Sequence, residues 1–402
     1  MDKIITKVCV LVLDGLGIGY QQDDINSLHK KDIGSNTLIH IHEKYSLENT
    51  FLAKLGLLDE CNNTNGRLDN KYFCVCKCRL SYSGADSTLG HFAISGAQLR
   101  NVTTFLEDNI DTIQELFEEQ YTVKYENGII VLDDTIFISN NVECDPGLNM
   151  NVLGILDKTS FQQILNVGTV IRNKMDVCRV IVMGGKGLTL ERVYQSVDKR
   201  ERDNGVTYSG VNIPKTDIYD ENYRVVHLAR EDSSPKNMLS NLDSSGIPIS
   251  LIGKTASLFP GLSAEYIDGA MADDVMYKVV SQMEKQERGL IFANVQELDL
   301  AGHAQDTERA YRVLKTVDRY WGKLLETMKE SDVLIIVGDH GNDPEIGHSF
   351  HTREYVPLIV IGDICKELHF RSNPKLCDIG MFVSVALTGR QTETGEQLLI
   401  DD

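Results

Sequence analysis

Residues 333–351 read VLIIVGDHGNDPEIGHSFH. A short β-branched run of this kind marks a strand buried on both faces, and this one ends in Asp339 and His340. Adjacent ionisable residues at a buried strand end are costly unless something pairs with them. Two more runs end in the same way. VCVLVLD at 8–14 delivers Asp14, and NVQELDLAGH at 294–303 delivers Asp299 and His303. Open α/β sheets place ligands beyond the carboxyl ends of their strands, so these residues are expected on one edge. A further imidazole follows the loop that carries Gly341, Pro344 and Gly347; spacing alone leaves His348 and His351 both open. Three carboxylates and three imidazoles on one edge form a donor set for two divalent ions. The four-residue spacing of Asp299 and His303 suits one face of a helix, but Gly302 and the preceding strand favour a loop wrapping a metal.

The segment SGADSTLGH at 83–91 adds a hydroxyl, from Ser87 or Thr88, in a turn bracketed by Gly84 and Gly90. A free hydroxyl is a weak nucleophile, and a neighbouring metal lowers its pKa and fixes its direction. A hydroxyl beside two metals is equipment for phosphoryl transfer. The glycines of DGLGIG (14–19) do not form a dinucleotide-binding fingerprint: they alternate at 15, 17 and 19, and a polar stretch follows in place of an apolar helix.

Around these segments the chain alternates strand and helix. Strands are expected in 8–13, 72–80, 128–132, 178–183, 247–253, 290–295, 333–338 and 356–362. Apolar residues at Ala310, Leu314, Val317, Trp321, Leu324 and Met328 predict an amphipathic helix capped by Asp306, and 272–286 reads as another. The fold class is therefore α/β, a mostly parallel sheet with helices on both faces. The middle of the chain is more polar and holds none of the candidate ligands. The expected organisation is a discontinuous core, 1–99 with 222–402, and an inserted smaller α/β cap at 100–221.

At 402 residues the chain is long enough for two domains. Its net charge of −19 disfavours nucleic acid as a partner, since that binding draws on Lys and Arg. No apolar run approaches a membrane span, and MDKIITKVCVLVLDG reads as a buried strand without a cleavage site, so the expected compartment is the cytoplasm. Nine cysteines, an odd number, indicate thiols and not a disulfide framework. Cys74, Cys76 and Cys78 alternate on one strand face, which lacks zinc-site spacing and reads as packing.

Together LVLDGLGIG (11–19), GSNTLIHI (34–41), GADSTLGHFAISG (84–96), SLIGKTASLF (250–259), ELDLAGH (297–303) and GDHGNDPEIGHSFHTREYVPLIV (338–360) resemble the alkaline phosphatase superfamily. Within it, GNDP followed by HTREYVP is similar to the phosphopentomutase family. The resemblance implies an alkaline-phosphatase-like core that holds two divalent ions, Mn²⁺ first and Zn²⁺ or Mg²⁺ as alternatives. It implies that Asp14, Asp339 and His340 hold one ion together with Ser87, and that Asp299, His303 and His351 hold the other, which selects His351 over His348. Ser87 would carry the phosphoryl group, and Lys254 would line the substrate site. The activity implied is interconversion of ribose or deoxyribose 1-phosphate and 5-phosphate, in nucleoside metabolism, with a small phosphorylated sugar as partner. The family's Gly-Lys-Asp-Thr is here Gly84-Ala85-Asp86-Ser87. Its phosphate-gripping arginine-proline-aromatic segment is replaced by Met183-Gly184-Gly185-Lys186-Gly187, and the Ser-x-Asp that addresses the sugar has no clear counterpart in 145–155. A metal-dependent phosphatase or phosphodiesterase acting on a different ester is therefore the alternative.

Overall fold

The computed structural model describes residues 5–22, 31–59, 64–68, 70–97, 103–202, 205–219, 222–229 and 236–401. The chain divides into two compact units, residues 1–99 with 232–402 and residues 100–231. The strand Arg224–Ala229 pairs with Arg179–Gly185 in the sheet of the inserted unit, so the second junction falls near 232 and not at the expected 222.

The first unit is built on an eight-stranded sheet. Its spatial order is Glu265–Ile267, Ile249–Ile252, Gly289–Val295, Lys7–Leu13, Asp332–Val337, Val356–Ile361, Lys71–Cys78 and Thr64–Leu68. The first five are mutually parallel, and every pairing beyond them is antiparallel. The antiparallel half has a local cause. A parallel return needs a crossover, usually a helix, that carries the chain back to the starting edge. The loop after Val337 instead stays at the carboxyl edge, and Val356–Ile361 leaves from there in the opposite direction.

Lys7–Leu13, Gly289–Val295 and Asp332–Val337 are buried along their whole length, as their apolar composition demands. Helix Thr307–Thr327 packs its apolar stripe on the sheet; the Asp306 side chain accepts from Arg309 N–H at 2.8 Å and closes its first turn. On that helix Trp321 stacks against Phe51, with ring centroids 4.3 Å apart. Among the described residues no helix is long and apolar enough to cross a membrane. The eight described cysteines are buried and form no disulfide among themselves.

The inserted unit has a six-stranded sheet in the order Arg224–Ala229, Arg179–Gly185, Asn149–Ile155, Ile136–Asn140, Ile129–Leu132 and Val123–Glu126. Its one parallel pairing, Asn149–Ile155 with Arg179–Gly185, is spanned by helix Phe161–Lys174, which starts at a Ser160–Gln163 capping box. Both faces of this sheet are apolar: Ile130, Ile138, Val152 and Val180 on one, Val131, Phe137, Leu153 and Ile181 on the other.

Candidate metal centre

Four parallel neighbours bring their carboxyl ends to one edge. Register pairs Val12 with Asn294 on one side and with Val337 on the other. Asp14 therefore emerges beside Asp339, and Asn294, on the other side, donates to Asp14 Oδ2 at 2.9 Å. One strand further out, Ile249–Ile252 ends at Gly253 and leads into Lys254. Asp14, Asp339 and His340 are fully buried, and Lys254, Asp299, His303 and His351 nearly so.

Ser87 is the first residue of helix Ser87–Ile94, capped by the Asp86 side chain, which accepts from Leu89 N–H. Its hydroxyl donates to Asp339 Oδ2 at 2.6 Å and lies 3.2 Å from Asp14 Oδ1. Lys254 Nζ donates to Ser87 Oγ at 2.7 Å and to Asp14 Oδ2 at 2.6 Å. Thr88 Oγ1 is buried with no hydrogen-bond partner and takes no part in these contacts. Arg353, in HTREY, donates to the carbonyls of Tyr82 and Gly84 and braces the preceding turn. Gly90 is there because nothing larger fits: a Cβ would lie 2.6 Å from Asp339 O.

Asp299 and His303 sit on a helix, Glu297–His303, and not on the expected loop. The four-residue spacing aligns both on one face. Gly302 does not break the helix; its missing side chain admits Asn342, whose Cγ would be 2.4 Å from a Cβ there. Asn342 in turn donates to Asp299 Oδ1 at 2.8 Å.

The imidazoles fit metal ligation. His303, His340 and His351 each direct Nδ1 at a backbone carbonyl, of Ser349 (2.7 Å), Gly341 (3.0 Å) and Ala85 (2.9 Å). A carbonyl only accepts, so each Nδ1 carries the hydrogen and each Nε2 presents a lone pair inward. His303 Nε2 and His351 Nε2 then face each other at 3.2 Å, two acceptors with no hydrogen between them, each beside Asp299. His340 Nε2 has no hydrogen-bond partner and lies 3.3 Å from Asp339 Oδ2 and 3.5 Å from Asp14 Oδ1. Inward lone pairs converging on carboxylates suit divalent cations. His348, the competing candidate, points elsewhere: its Nε2 is 3.3 Å from Asp32, and its ring stacks on Phe350.

The electrostatics have one consistent cause, charge confined away from water. Burial pushes the Asp14 carboxyl up, and the Asp339 charge adds to this against the pull of Lys254. Burial also acts to raise Asp339, but His340, His91 and Lys254 outweigh it and hold it well below the usual range. Asp299 is likewise held low, against its burial, when His303 and His351 carry positive charge, the place a divalent cation would take. Burial, with His340 alongside, lowers His351 to about 4, so its lone pair stays available near neutrality.

Proximity alone groups Asp299, His340 and His351, and separately Asp14, His91 and Asp339. His340 stacks on His351 at 3.8 Å and so stands between the two groups. His91, Asn294 and Asn342 are site residues that the sequence reading did not single out. His91 lies within SGADSTLGH, four residues after Ser87, and that helical spacing was the available signal.

A buried two-ion donor set beside a hydroxyl, on the carboxyl edge of an α/β sheet, defines the class. The Metalloenzyme superfamily model matches residues 6–387, and the chain belongs to that superfamily. Its relatives include the phosphopentomutase of Alkaliphilus oremlandii, 25% identical over 408 residues that cover 98% of each chain. The phosphopentomutase of Clostridium kluyveri is 29% identical over 372 residues, 89% of this chain and 88% of that one. In structure the chain is similar to the phosphoglycerate mutase of Leishmania mexicana, with TM-score 0.50, 13% identity and coverage of 100% and 99%. That likeness shows the fold alone, an α/β architecture.

Proposed function

We propose that this chain is a two-metal phosphomutase that interconverts ribose or deoxyribose 1-phosphate and 5-phosphate through a phosphorylated Ser87. The observation that carries the reading is the Ser87 hydroxyl, held between Asp339, Asp14 and Lys254 in a buried site. The phosphopentomutase name of the relatives supports the choice of substrate. Asp14, Asp339, His340 and Ser87 would hold one divalent ion, and Asp299, His303 and His351 the other. Mn²⁺ is our first choice, since mixed carboxylate and imidazole ligands suit it. When bound, the ions supply charge stabilisation for the phosphoryl oxygens and for the serine oxygen.

The remaining chemistry belongs to the chain. Ser87 Oγ forms a bond to phosphorus as the bond to one sugar oxygen breaks, and the serine hydrogen, which lies toward Asp339 Oδ2, ends on that departing oxygen. Lys254 sits against Ser87 Oγ, where its charge would meet the transferred group. Phosphate on Ser87 would occupy the first turn of helix Ser87–Ile94, where unpaired N–H groups favour an anion. Return of the group to the other sugar oxygen completes the isomerisation. The eight described thiols, all buried, suit a reducing compartment, and we place the protein in the cytoplasm.

A specific observation favours hydrolysis as a second reading. The cations of the inserted unit that could replace the missing phosphate grip are largely engaged there. Arg192 pairs with Asp217, Arg202 donates to Asp108 and covers Phe105, and Arg200 is mostly buried against Tyr208. Incubation of the metal-loaded protein with ribose 5-phosphate separates the readings when ribose 1-phosphate and free phosphate are followed together. Isomer without phosphate release is expected; phosphate release alone would select the hydrolase. Ser87→Ala should abolish the covalent phosphoenzyme in intact-mass spectra while both ions remain bound. Phosphate on Thr88 would overturn the assignment of Ser87.

A further inference from the structure

We propose that His91 is not a metal ligand but a positioning residue, which in one fixed tautomer ties Asn294, the donor to Asp14, to the first turn of the helix that carries Ser87 and lies against Asp339. The inference rests on the reading that Asp14 and Asp339 hold a divalent ion, and it concerns how they are held. By proximity His91 looks like a ligand, since it shares a cluster with Asp14 and Asp339 and is fully buried. Its hydrogen bonds say otherwise. His303, His340 and His351 turn Nδ1 outward to a backbone carbonyl and Nε2 inward. His91 also meets a backbone carbonyl through Nδ1, but its Nε2 is already occupied by Asn294. Its Nδ1 faces the site, 2.7 Å from Ser87 O and 3.2 Å from Asp339 Oδ2.

Both of those neighbours accept hydrogen bonds, so Nδ1 carries the hydrogen and cannot offer a lone pair. Nε2 lies 2.8 Å from Asn294 Nδ2, which can only donate, so Nε2 is the acceptor. The second Asn294 hydrogen goes to Asp14 Oδ2 at 2.9 Å. The alternative amide orientation would aim Oδ1 at a carboxylate and at an imidazole acceptor together. Each step therefore fixes the next: Asp14 accepts from Asn294, Asn294 donates to His91, and His91 donates to Ser87 O at 2.7 Å, with Asp339 Oδ2 beside that N–H at 3.2 Å. Asp339 is held at both oxygens, since Gly15 N–H donates to Oδ1 at 3.0 Å and Ser87 and His91 converge on Oδ2. The His91 ring packs near Phe292, centroids 6.2 Å apart, and the helix that carries it also carries Ser87. A turn of His91 would thus disturb one ligand, the nucleophile and, through Asn294, a second ligand.

Two substitutions separate this role from simple packing. The amide of Asn reaches the place of Nδ1, and that of Gln the place of Nε2. His91→Asn keeps the inward donor and His91→Gln loses it, with the same amide group in each and a difference of one methylene that thermal unfolding reports. The measurement is Mn²⁺ binding to the metal-free full chain by calorimetry, with thermal unfolding of the same samples. We expect His91→Asn to stay within about threefold of wild type. His91→Gln should lose on the order of 10–100-fold in affinity for one of the two ions, the size usual for an outer-shell partner. Equal affinities for the two variants would overturn the positioning role. Long-range ¹H–¹⁵N spectra of the wild type give a readout that needs no variant to fold. Adding Zn²⁺ should move Nε2 of His303, His340 and His351 and leave the His91 nitrogens as one N–H at δ1 and one acceptor at ε2. A metal-induced shift at a His91 nitrogen would make it a ligand and sink the inference. A wild-type chain that takes up no divalent ion would instead overturn the metal-site reading on which it stands.

Discussion

At the scale of single residues, the centre is held by what is missing as much as by what is present. Gly90 lets helix Ser87–Ile94 approach the end of strand Asp332–Val337, where a Cβ would meet Asp339 O at 2.6 Å and Asp339 Cβ at 2.8 Å. Gly90→Ala must push apart two backbones that carry Ser87 and Asp339. We expect a loss of about 1–3 kcal/mol in chemical denaturation, the usual cost of overpacking, and a larger proportional loss of metal affinity. Unchanged stability and affinity would show that the two segments can move apart freely. Glu354 is the other informative residue. It is buried and accepts from Gly19, Thr37 and Thr352, and burial with the Asp343 charge raises its carboxyl from the usual 4.5 to about 7. A carboxyl raised in the folded state binds its proton more tightly there than in the unfolded chain. Its contribution to stability is therefore full below about pH 4.5 and declines as pH rises through about 7. At roughly 1.4 kcal/mol per tenfold change in proton affinity, about 3 kcal/mol is lost across that window. Glu354→Gln should flatten the wild-type fall in melting temperature between those two pH values. Parallel curves for the two proteins would count against the raised carboxyl.

At the scale of elements, two helix caps of similar chemistry should have different consequences. Asp86 caps the helix that begins with Ser87, and Asp306 caps Thr307–Thr327. Replacing either by Ala should cost about 1–2 kcal/mol in urea unfolding. Only Asp86→Ala should also slow phosphoenzyme formation, because its helix begins with Ser87, the proposed nucleophile. Equal kinetic effects would mean that Ser87 is positioned by its polar partners and not by the cap. The same elements show what sequence can and cannot reveal. Strands such as Lys7–Leu13 and Asp332–Val337 were legible because burial on both faces forces an unbroken apolar run, and so was the placement of the candidate ligands at their ends. Asn149–Ile155 is buried too, but Asn149, Asn151 and Gly154 break its pattern, and its pairing partners, not its composition, make it a strand. Helix Glu297–His303 was misread because Gly302 weakens the local signal, and the contact that requires glycine comes from Asn342, some forty residues away in the chain. His91 escaped notice for a related reason. A histidine on an apolar helix face reads as core until the ring's hydrogen-bond partners are known.

At the scale of the whole molecule, each unit has its own apolar core, and the described clusters each lie within one unit. The candidate ligands all belong to one of them, residues 1–99 with 232–402. That unit also holds Trp321, the sole tryptophan of the chain, packed against Phe51 in its core. Tryptophan fluorescence therefore reports on the metal-binding unit alone, whereas far-ultraviolet circular dichroism reports on both sheets. A ligand that binds only the folded state stabilises it by mass action, by about 2.7 kcal/mol at a hundred times its dissociation constant. Adding Mn²⁺ to metal-free protein should then raise the fluorescence-detected melting temperature. In the dichroism signal it should move one component and leave a second, from residues 100–231, where it was. If both probes shift together over the whole metal titration, the two units unfold as one cooperative system. The inserted unit would then share in the stability of the metal site, and substitutions in its core would be expected to weaken metal binding.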